Sequence, residues 1–215
     1  MQTNFTAAQL KDPHIAEANK ILRNCVHCGF CTATCPTYVL LGDELDSPRG
    51  RIYLIKNMLE KNEPATTETV KHIDRCLSCL SCMTTCPSGV NYMHLIDQAR
   101  VHVEKTYRRP VFEKLLRSVL GFAMPRPRVF RTTLALSRLA TPFSKAISAL
   151  GLKRIEALLA LVPTRGITPQ KLGVPGTYPP EGARRGRVAL LMGCVQSVIE
   201  PSINAATIRL LTRLG

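Results

Sequence analysis

The sequence predicts a mainly α-helical protein. Apolar residues recur at helical spacing through most of the chain, and the pair Ser47–Pro48 is typical of a helix start. The 215 residues are 45% apolar and 20% charged, which supplies a core and excludes wholesale disorder. No run of about 18 apolar residues occurs, and no basic start precedes an apolar stretch, so we expect neither a transmembrane helix nor a secretory leader.

Four helices are expected over residues 10–107. Ser47 should cap the second of them, with Pro48 in its first turn, and Thr66 or Thr67 should cap the third. The apolar faces of the four helices, in chain order, are Ile15, Ala18 and Leu22; Ile52, Ile55 and Leu59; Val70 and Ile73; and Leu95, Ala99 and Val103. These residues predict an all-α domain over about residues 10–107.

Two copies of one cysteine pattern, C-x2-C-x2-C-x3-C-P, lie between these helices, offset by 51 residues. They comprise Cys25, Cys28, Cys31, Cys35 and Pro36, and Cys76, Cys79, Cys82, Cys86 and Pro87. Without an export signal the thiols should stay in a reducing compartment, which disfavours disulfides, and each motif has a surplus third cysteine for a zinc site. The spacing instead predicts two [4Fe–4S] clusters.

The doubled motif resembles that of two-cluster ferredoxins, and this resemblance implies crossed ligation. One cluster would be held by Cys25, Cys28, Cys31 and Cys86, and the other by Cys76, Cys79, Cys82 and Cys35. Gly29 is expected to let the backbone approach the first cluster. His27 is expected to be an exposed loop residue, since four cysteines are already available.

The second half of the chain carries the positive charge. Residues 1–100 hold ten basic and ten acidic residues, whereas residues 101–190 hold 17 and four. Amphipathic helices are expected in residues 108–162, with stripes at Val111, Leu115, Val119 and Phe122, and at Leu152, Ile155, Leu159 and Val162. The excess charge is compatible with a surface for anionic lipid, an acidic partner subunit or nucleic acid, or with solvated helix faces.

The last part of the chain predicts a change of architecture. Residues 163–187 contain five prolines and five glycines and should form a linker. Residues 187–193 (RVALLMG) predict a buried strand, followed by Cys194 and by a helix over residues 201–214 with Ile203, Ala206, Leu210 and Leu214 on one face. One strand and one helix cannot bury a sheet, so we expect a fragment or truncated form of a longer protein.

Several segments together resemble the iron–sulfur subunits of glycolate oxidase (glycolate dehydrogenase). They are C-x2-C-G-x-C-x3-C-P, D-S-P-R-G-R-I at residues 46–52, C-x2-C-x2-C-x3-C-P-S-G-V, and VALLMGCVQSVIEPSINAATIRLL. The resemblance implies a helical ferredoxin-type domain, then a helical segment and, from residue 188, the start of an α/β cysteine-rich domain in which Cys194 is a candidate further ligand. The later C-C-G runs of that family are absent from this sequence.

The same resemblance implies an electron-transfer role in an oxidoreductase complex. Flavin-containing partner subunits, carrying FAD, would oxidise glycolate, and electrons would pass through both clusters toward the quinone pool. The chain is then expected in the cytoplasm, peripheral on the inner face of the membrane. No catalytic residue for the substrate is identified. The alternatives are the equivalent subunit of a glycerol-3-phosphate or lactate dehydrogenase and a nucleic-acid-binding metalloprotein, which the scarcity of aromatic residues in the basic segment disfavours.

Overall fold

The computed structural model describes residues 1–163 and 174–215, which divide into two compact units. Unit 1 is Met1–Arg109 and unit 2 is Pro110–Gly215. No β-strand occurs in the described parts of either unit. The prediction of a mainly α-helical protein is therefore confirmed.

Unit 1 contains the expected helices together with short ones inside and after the cysteine motifs. They are α1 (Pro13–Asn24), α2 (Phe30–Ala33), α3 (Pro36–Leu41), α4 (Pro48–Lys61), α5 (Thr67–Asp74), α6 (Ser81–Thr85) and α7 (Tyr92–Thr106), with 3₁₀ turns at Gln9–Lys11 and Glu44–Asp46. Ser47 caps α4 by accepting a hydrogen bond from the Gly50 N–H at 3.0 Å. Of the two threonines proposed for α5, Thr66 is the cap.

The core of unit 1 forms where α4 packs against α1, α5 and α7. Every residue of the four predicted apolar faces is buried except Ile15, which is partly buried against the same cluster. Cys25 and Cys82 belong to this cluster too. The cysteine motifs are thus built into the hydrophobic core, whose burial is the main source of stability for the unit.

Unit 2 is a set of helices with few buried side chains. It comprises α8 (Val111–Ala123), α9 (Pro127–Ala140), a 3₁₀ turn at Thr141–Phe143, α10 (Ser144–Ala149), α11 (Lys153–Ala160), α12 (Gln196–Ile199) and α13 (Pro201–Leu214). The predicted stripe of α8 is exposed, whereas Leu159 of the second stripe is buried. Residues 164–173 of the predicted linker lie outside the described residues.

In the last part of unit 2 the predicted helix over residues 201–214 is confirmed as α13, but the predicted strand is wrong. Residues 187–193 are not a strand, and Leu191 is 96% exposed, because a strand needs the backbone of a neighbouring strand and the described residues offer none. On α13 the buried residues are Asn204, Ala205 and Ile208, while Ile203 is among those that face outward.

The different face of α13 is buried because that helix contacts α12, and the Gln196 side-chain amide donates a hydrogen bond to Asn204 Oδ1 at 3.0 Å. No helix in the described residues is long and apolar enough to span a membrane.

Candidate metal centre

The two cysteine motifs adopt the same backbone conformation. His27 and Ser78, each two residues after the first cysteine, have φ of 56° and 52°. Gly29 and Leu80, two residues further on, have φ of 84° and 59° and cap α2 and α6. Alternating left-handed residues turn successive N–H groups inward, a geometry that favours anionic groups. The repeat in sequence is therefore a repeat in structure.

Leu80 is a site residue that the sequence reasoning missed. Glycine marks the left-handed position in the first motif, and the second motif places a leucine there at a cost of about 1–2 kcal/mol. Aligning the two motifs, with Leu80 opposite Gly29, is the signal that could have identified it.

One cavity, open on one side, lies at the first motif. Cys25, Cys28 and Cys31 line it, and Cys86 reaches it from the second motif. The predicted set of four is therefore brought together around one space. Cys82 also contributes to the wall.

A second cavity, also open on one side, lies at the second motif. Cys76, Cys79 and Cys82 line it, and Cys35 reaches it from the first motif. The structure thus gathers the other predicted set as well. All eight thiols are free of disulfide bonds, and their assignment as ligands stays a prediction.

The two cavities share a wall. Pro48, Cys82 and Tyr92 contact both. Tyr92 is 3% exposed, and its hydroxyl donates a hydrogen bond to Cys76 Sγ at 3.7 Å. Its burial, followed by the charge of Cys76, raises the pKa of Tyr92 well above its ordinary value, so the phenol stays protonated as a donor.

Burial and neighbouring sulfurs oppose the ionisation of two of the thiols, Cys31 and Cys82. Burial, and then the neighbouring thiolates, raise the pKa of Cys82 to about 12. Burial also raises the pKa of Cys31, whereas a hydrogen bond from the Ser81 N–H lowers the pKa of Cys79. Coordination to a metal deprotonates a thiol outright. Two four-sulfur donor sets of this kind fit two [4Fe–4S] clusters.

His27 departs from the expectation of an exposed loop residue. The residue is half-buried in the wall of the first cavity, and within the described chain its Nε2 atom is buried without a hydrogen-bond partner. Burial, with the N-terminal amino group and Arg49 next in size, lowers the pKa of His27. The tight left-handed turn at φ 56° draws the ring inward.

A buried charged network beside Cys35 is a further feature that the sequence reasoning missed. Arg51 and Asp46 are 1% and 0% exposed and form an ion pair at 3.3 Å. Asp46 also accepts hydrogen bonds from His72 at 2.9 Å and Arg75 at 2.7 Å. Burial opposes ionisation of this carboxyl, yet the bonds and charges of His72 and Arg75 outweigh it and lower the pKa of Asp46.

Helical spacing could have identified Arg51, because it lies one and two turns before Ile55 and Leu59 on the buried face of α4. Cys194 lies in unit 2, where it is exposed, and it lines neither cavity. Its role as a further ligand stays a prediction.

Comparison with known proteins gives the motifs a family context. Residues 21–90 match the 4Fe-4S dicluster domain family. The chain is 47% identical over all 215 residues to the glycolate oxidase iron-sulfur subunit of Escherichia coli, covering 48% of that protein. It is 30% identical over 206 residues, 90% of the chain, to the probable glycolate oxidase iron-sulfur subunit of Bacillus subtilis, covering 46% of it.

A shorter match extends to a respiratory protein. Over 76 residues, a third of the chain, it is 29% identical to the succinate dehydrogenase iron-sulfur subunit of Paracoccus denitrificans and covers 29% of that protein. No solved structure matches. The chain spans about half the length of the two glycolate oxidase subunits that it matches. Residues 21–90 thus match a 4Fe-4S dicluster domain, in a chain that is similar along its whole length to the glycolate oxidase iron-sulfur subunit of Escherichia coli.

Proposed function

We propose that the chain is the electron-transfer part of an iron–sulfur subunit in a glycolate oxidase complex. The observation that carries the proposal is the pair of cysteine-lined cavities that share a wall, in a chain 47% identical to such a subunit. Flavin-bearing partner subunits would oxidise glycolate to glyoxylate and release two electrons and two protons. The electrons would then pass through this chain one at a time toward a quinone.

The ligands proposed for one centre are Cys25, Cys28, Cys31 and Cys86, and for the other Cys35, Cys76, Cys79 and Cys82. Bound [4Fe–4S] clusters supply one-electron redox chemistry. Ile52 and Pro48 line the first cavity with apolar surface, and the Tyr92 hydroxyl orients Cys76 Sγ. Low solvent exposure and hydrogen bonds to sulfur are the protein's means of setting a cluster potential.

Metal analysis and electron paramagnetic resonance (EPR) test the assignment. Anaerobically purified protein should hold about eight irons, as expected for two four-iron clusters. Cys86→Ser should damage the centre of Cys25, Cys28 and Cys31 and leave that of Cys76 intact. The matched control is Cys194→Ser, which changes an exposed cysteine in unit 2 and should leave the iron content unchanged. Stoichiometric zinc, or loss of the opposite centre, would refute the assignment.

Copurification tests the substrate. We expect the chain to bring down flavoproteins that reduce a dye with glycolate. Reduction with glycerol 3-phosphate or lactate, and none with glycolate, would instead identify the equivalent subunit of a related dehydrogenase.

We further infer that unit 2 contacts the inner membrane surface through α8. Val111, Leu115, Val119 and Phe122 are 85%, 60%, 51% and 56% exposed along one side of that helix. The segment from residue 110 to 162 holds nine basic residues and two acidic ones. An exposed apolar stripe in a basic segment favours binding in the plane of an anionic bilayer.

Vesicle flotation tests this surface. Binding should be stronger to vesicles with phosphatidylglycerol than to pure phosphatidylcholine and should weaken with salt. Leu115→Ser combined with Phe122→Ser should reduce binding severalfold, while Leu40→Ser, at an 81% exposed site in unit 1, should not. Equal binding of both variants would exclude α8 as the contact.

A further inference from the structure

The network around Asp46 is directed at one of the two cavities. Arg51 lines the second cavity, and its Nη1 lies 3.8 Å from Cys35 Sγ. Its Nη2 donates a hydrogen bond to Thr37 Oγ1 at 3.0 Å, and that hydroxyl lies 3.2 Å from the same sulfur. The proposed ligand Cys35 is therefore in contact with a cation and a hydroxyl that are both nearly excluded from solvent.

The same network is not a second metal site. Asp43, Asp46 and His72 lie close enough to share an ion. However, both carboxylate oxygens of Asp46 are already occupied, Oδ1 by His72 and Arg51 and Oδ2 by Arg75. The two guanidinium groups that hold Asp46 would also repel an added cation there.

Burying these charged groups costs free energy of folding, so stability alone does not explain why the network lies against a cysteine sulfur. A buried ion pair is often no more stabilising than apolar residues of the same volume. The Arg51 guanidinium, 1% exposed and 3.8 Å from Cys35 Sγ, acts on that sulfur through a medium of low dielectric.

The first cavity has a weaker counterpart of this arrangement. The Val90 N–H donates a hydrogen bond to Cys86 Sγ at 3.5 Å, and the N-terminal ammonium donates to backbone carbonyls, including that of Cys25, rather than to a thiol. The guanidinium at this cavity is that of Arg49, whose side chain is 35% exposed and is paired with the exposed carboxylate of Glu44. Solvent screens such a charge. Each reduction step adds one negative charge to a cluster, so the buried cation and the hydrogen bonds favour reduction more at the second cavity.

We propose that Arg51 is a positioning residue that makes the centre held by Cys35, Cys76, Cys79 and Cys82 the more easily reduced of the two. This rests on the proposed function, in which both cavities hold [4Fe–4S] clusters. In protein carrying one electron, that electron resides at the second cavity. An electron entering at the first cavity then moves to the second, which gains one electron as the first loses it, and no bond is formed or broken.

A redox titration followed by EPR on the anaerobically purified chain tests the order. The two signals are assigned with Cys28→Ser and Cys79→Ser, one ligand from each set. In the wild type, the signal lost in Cys79→Ser should develop first on reduction. Arg51→Gln should lower the midpoint potential of that centre and shift the electron distribution between the centres at least about tenfold, which for one electron is about 59 mV.

Two further variants make the test independent of folding. Thr37→Val removes the hydroxyl beside Cys35 and keeps Arg51, and it should lower the same midpoint by a smaller amount. Arg49→Gln is the matched control at the first cavity and should leave the midpoint of the second centre unchanged. If Arg51→Gln fails to load iron, the proposal is tested by the order in which the two wild-type centres are reduced and by the midpoint potentials of Thr37→Val.

The outcomes separate this inference from the function on which it rests. A wild-type protein whose first centre is reduced before or together with the second overturns the inference and leaves the electron-transfer role standing. An equal shift of both centres in Arg51→Gln or Thr37→Val also overturns it. A protein without iron–sulfur clusters refutes the proposed function itself.

Discussion

Gly50→Ala should be one of the most damaging small substitutions in unit 1. Gly50 is buried in the first turn of α4, beneath the 3₁₀ turn Glu44–Asp46. A Cβ atom placed there would lie 2.1 Å from the Glu44 carbonyl oxygen and 2.9 Å from Leu45 Cα, and real contacts under 3.0 Å essentially never occur. Both obstacles are backbone atoms, so no side-chain rotation relieves the clash.

The expected loss in the free energy of unfolding follows from the displacement of the turn Glu44–Asp46. Alanine gains about 1 kcal/mol over glycine in a helix. Moving the turn costs about 2–3 kcal/mol as overpacking. The same shift pulls Asp46 from His72 and Arg75, and disrupting a buried ionic network costs up to about 3–5 kcal/mol. A net loss of about 2–4 kcal/mol is expected if the network is partly kept.

Anaerobic urea unfolding measures this loss through circular dichroism and the visible absorption of the clusters. With a slope of about 2 kcal/mol per molar urea, the midpoint should fall by about 1–2 M. Midpoints are compared because cluster loss makes unfolding irreversible.

The matched control for this measurement is Gly42→Ala. Gly42 has φ of 68° but no atom within 4 Å of its Cβ position, so it should cost only about 1–2 kcal/mol in backbone strain. A midpoint for Gly50→Ala no lower than that for Gly42→Ala would refute the steric argument.

Three further substitutions test the cap, the network and the first motif. Ser47→Ala removes the acceptor for the Gly50 N–H and should cost about 1–2 kcal/mol in urea unfolding, against a few tenths for Ser47→Gly; equal losses would contradict the cap. The pKa of Asp46 is lowered in the fold, so its contribution is present above its unfolded value of about 3.9 and lost as pH falls below it. Asp46→Asn should therefore lower the urea midpoint at neutral pH and flatten its fall in acid, whereas an unchanged acid slope would exclude Asp46 as the titrating group. Gly29→Ala, with φ of 84° and a Cβ 2.6 Å from Arg49 Nη1, should cost about 1–3 kcal/mol and reduce iron retention in anaerobic gel filtration, and full retention would argue against the close approach.

The sequence predicts unit 1 well because the residues that begin its helices and the spacing of its apolar residues agree with the way the helices pack. Ser47 and Pro48 begin α4 as expected, and the spacing of Ile52, Ile55 and Leu59 identifies its buried face. Helical periodicity depends only on neighbours three and four residues apart, so it can be read without knowing the tertiary structure.

Unit 2 is less predictable because its outcome depends on partners that periodicity does not specify. The RVALLMG segment has the composition of a strand, yet Leu191 is exposed where the described residues provide no strand to pair with. On α13, apolar residues lie on more than one side, and contact with α12 decides that Ile208 is buried and Ile203 is not. The spacing identifies one apolar face, and packing against α12 buries a different one.

The cysteine spacing predicts the candidate metal ligands of the site, but it does not predict the charged residues around them. Cysteine spacing names eight thiols, because metal ligation demands fixed spacing along a tight loop. Nothing in that spacing distinguishes Arg51 from Arg49, two residues apart in one motif. The difference arises from the helix, which turns Arg51 toward His72 and Cys35 and leaves Arg49 near solvent.

The segment between the two cysteine motifs belongs both to the hydrophobic core and to the scaffold of the candidate metal centres. Its helix α4 contacts α1, α2, α5 and α7, so the same element that fills the core also sets the distance between the two cysteine loops. Cys25, Cys35 and Cys82 are themselves among the buried residues, and burial raises the pKa of Cys82 to about 12. At neutral pH a thiol such as Cys82 needs a cation to be held as a thiolate, so metal binding at this site and folding of the core are linked free energies. In the proposed electron-transfer role, a helical spacer would make the geometry of two centres a property of one hydrophobic core.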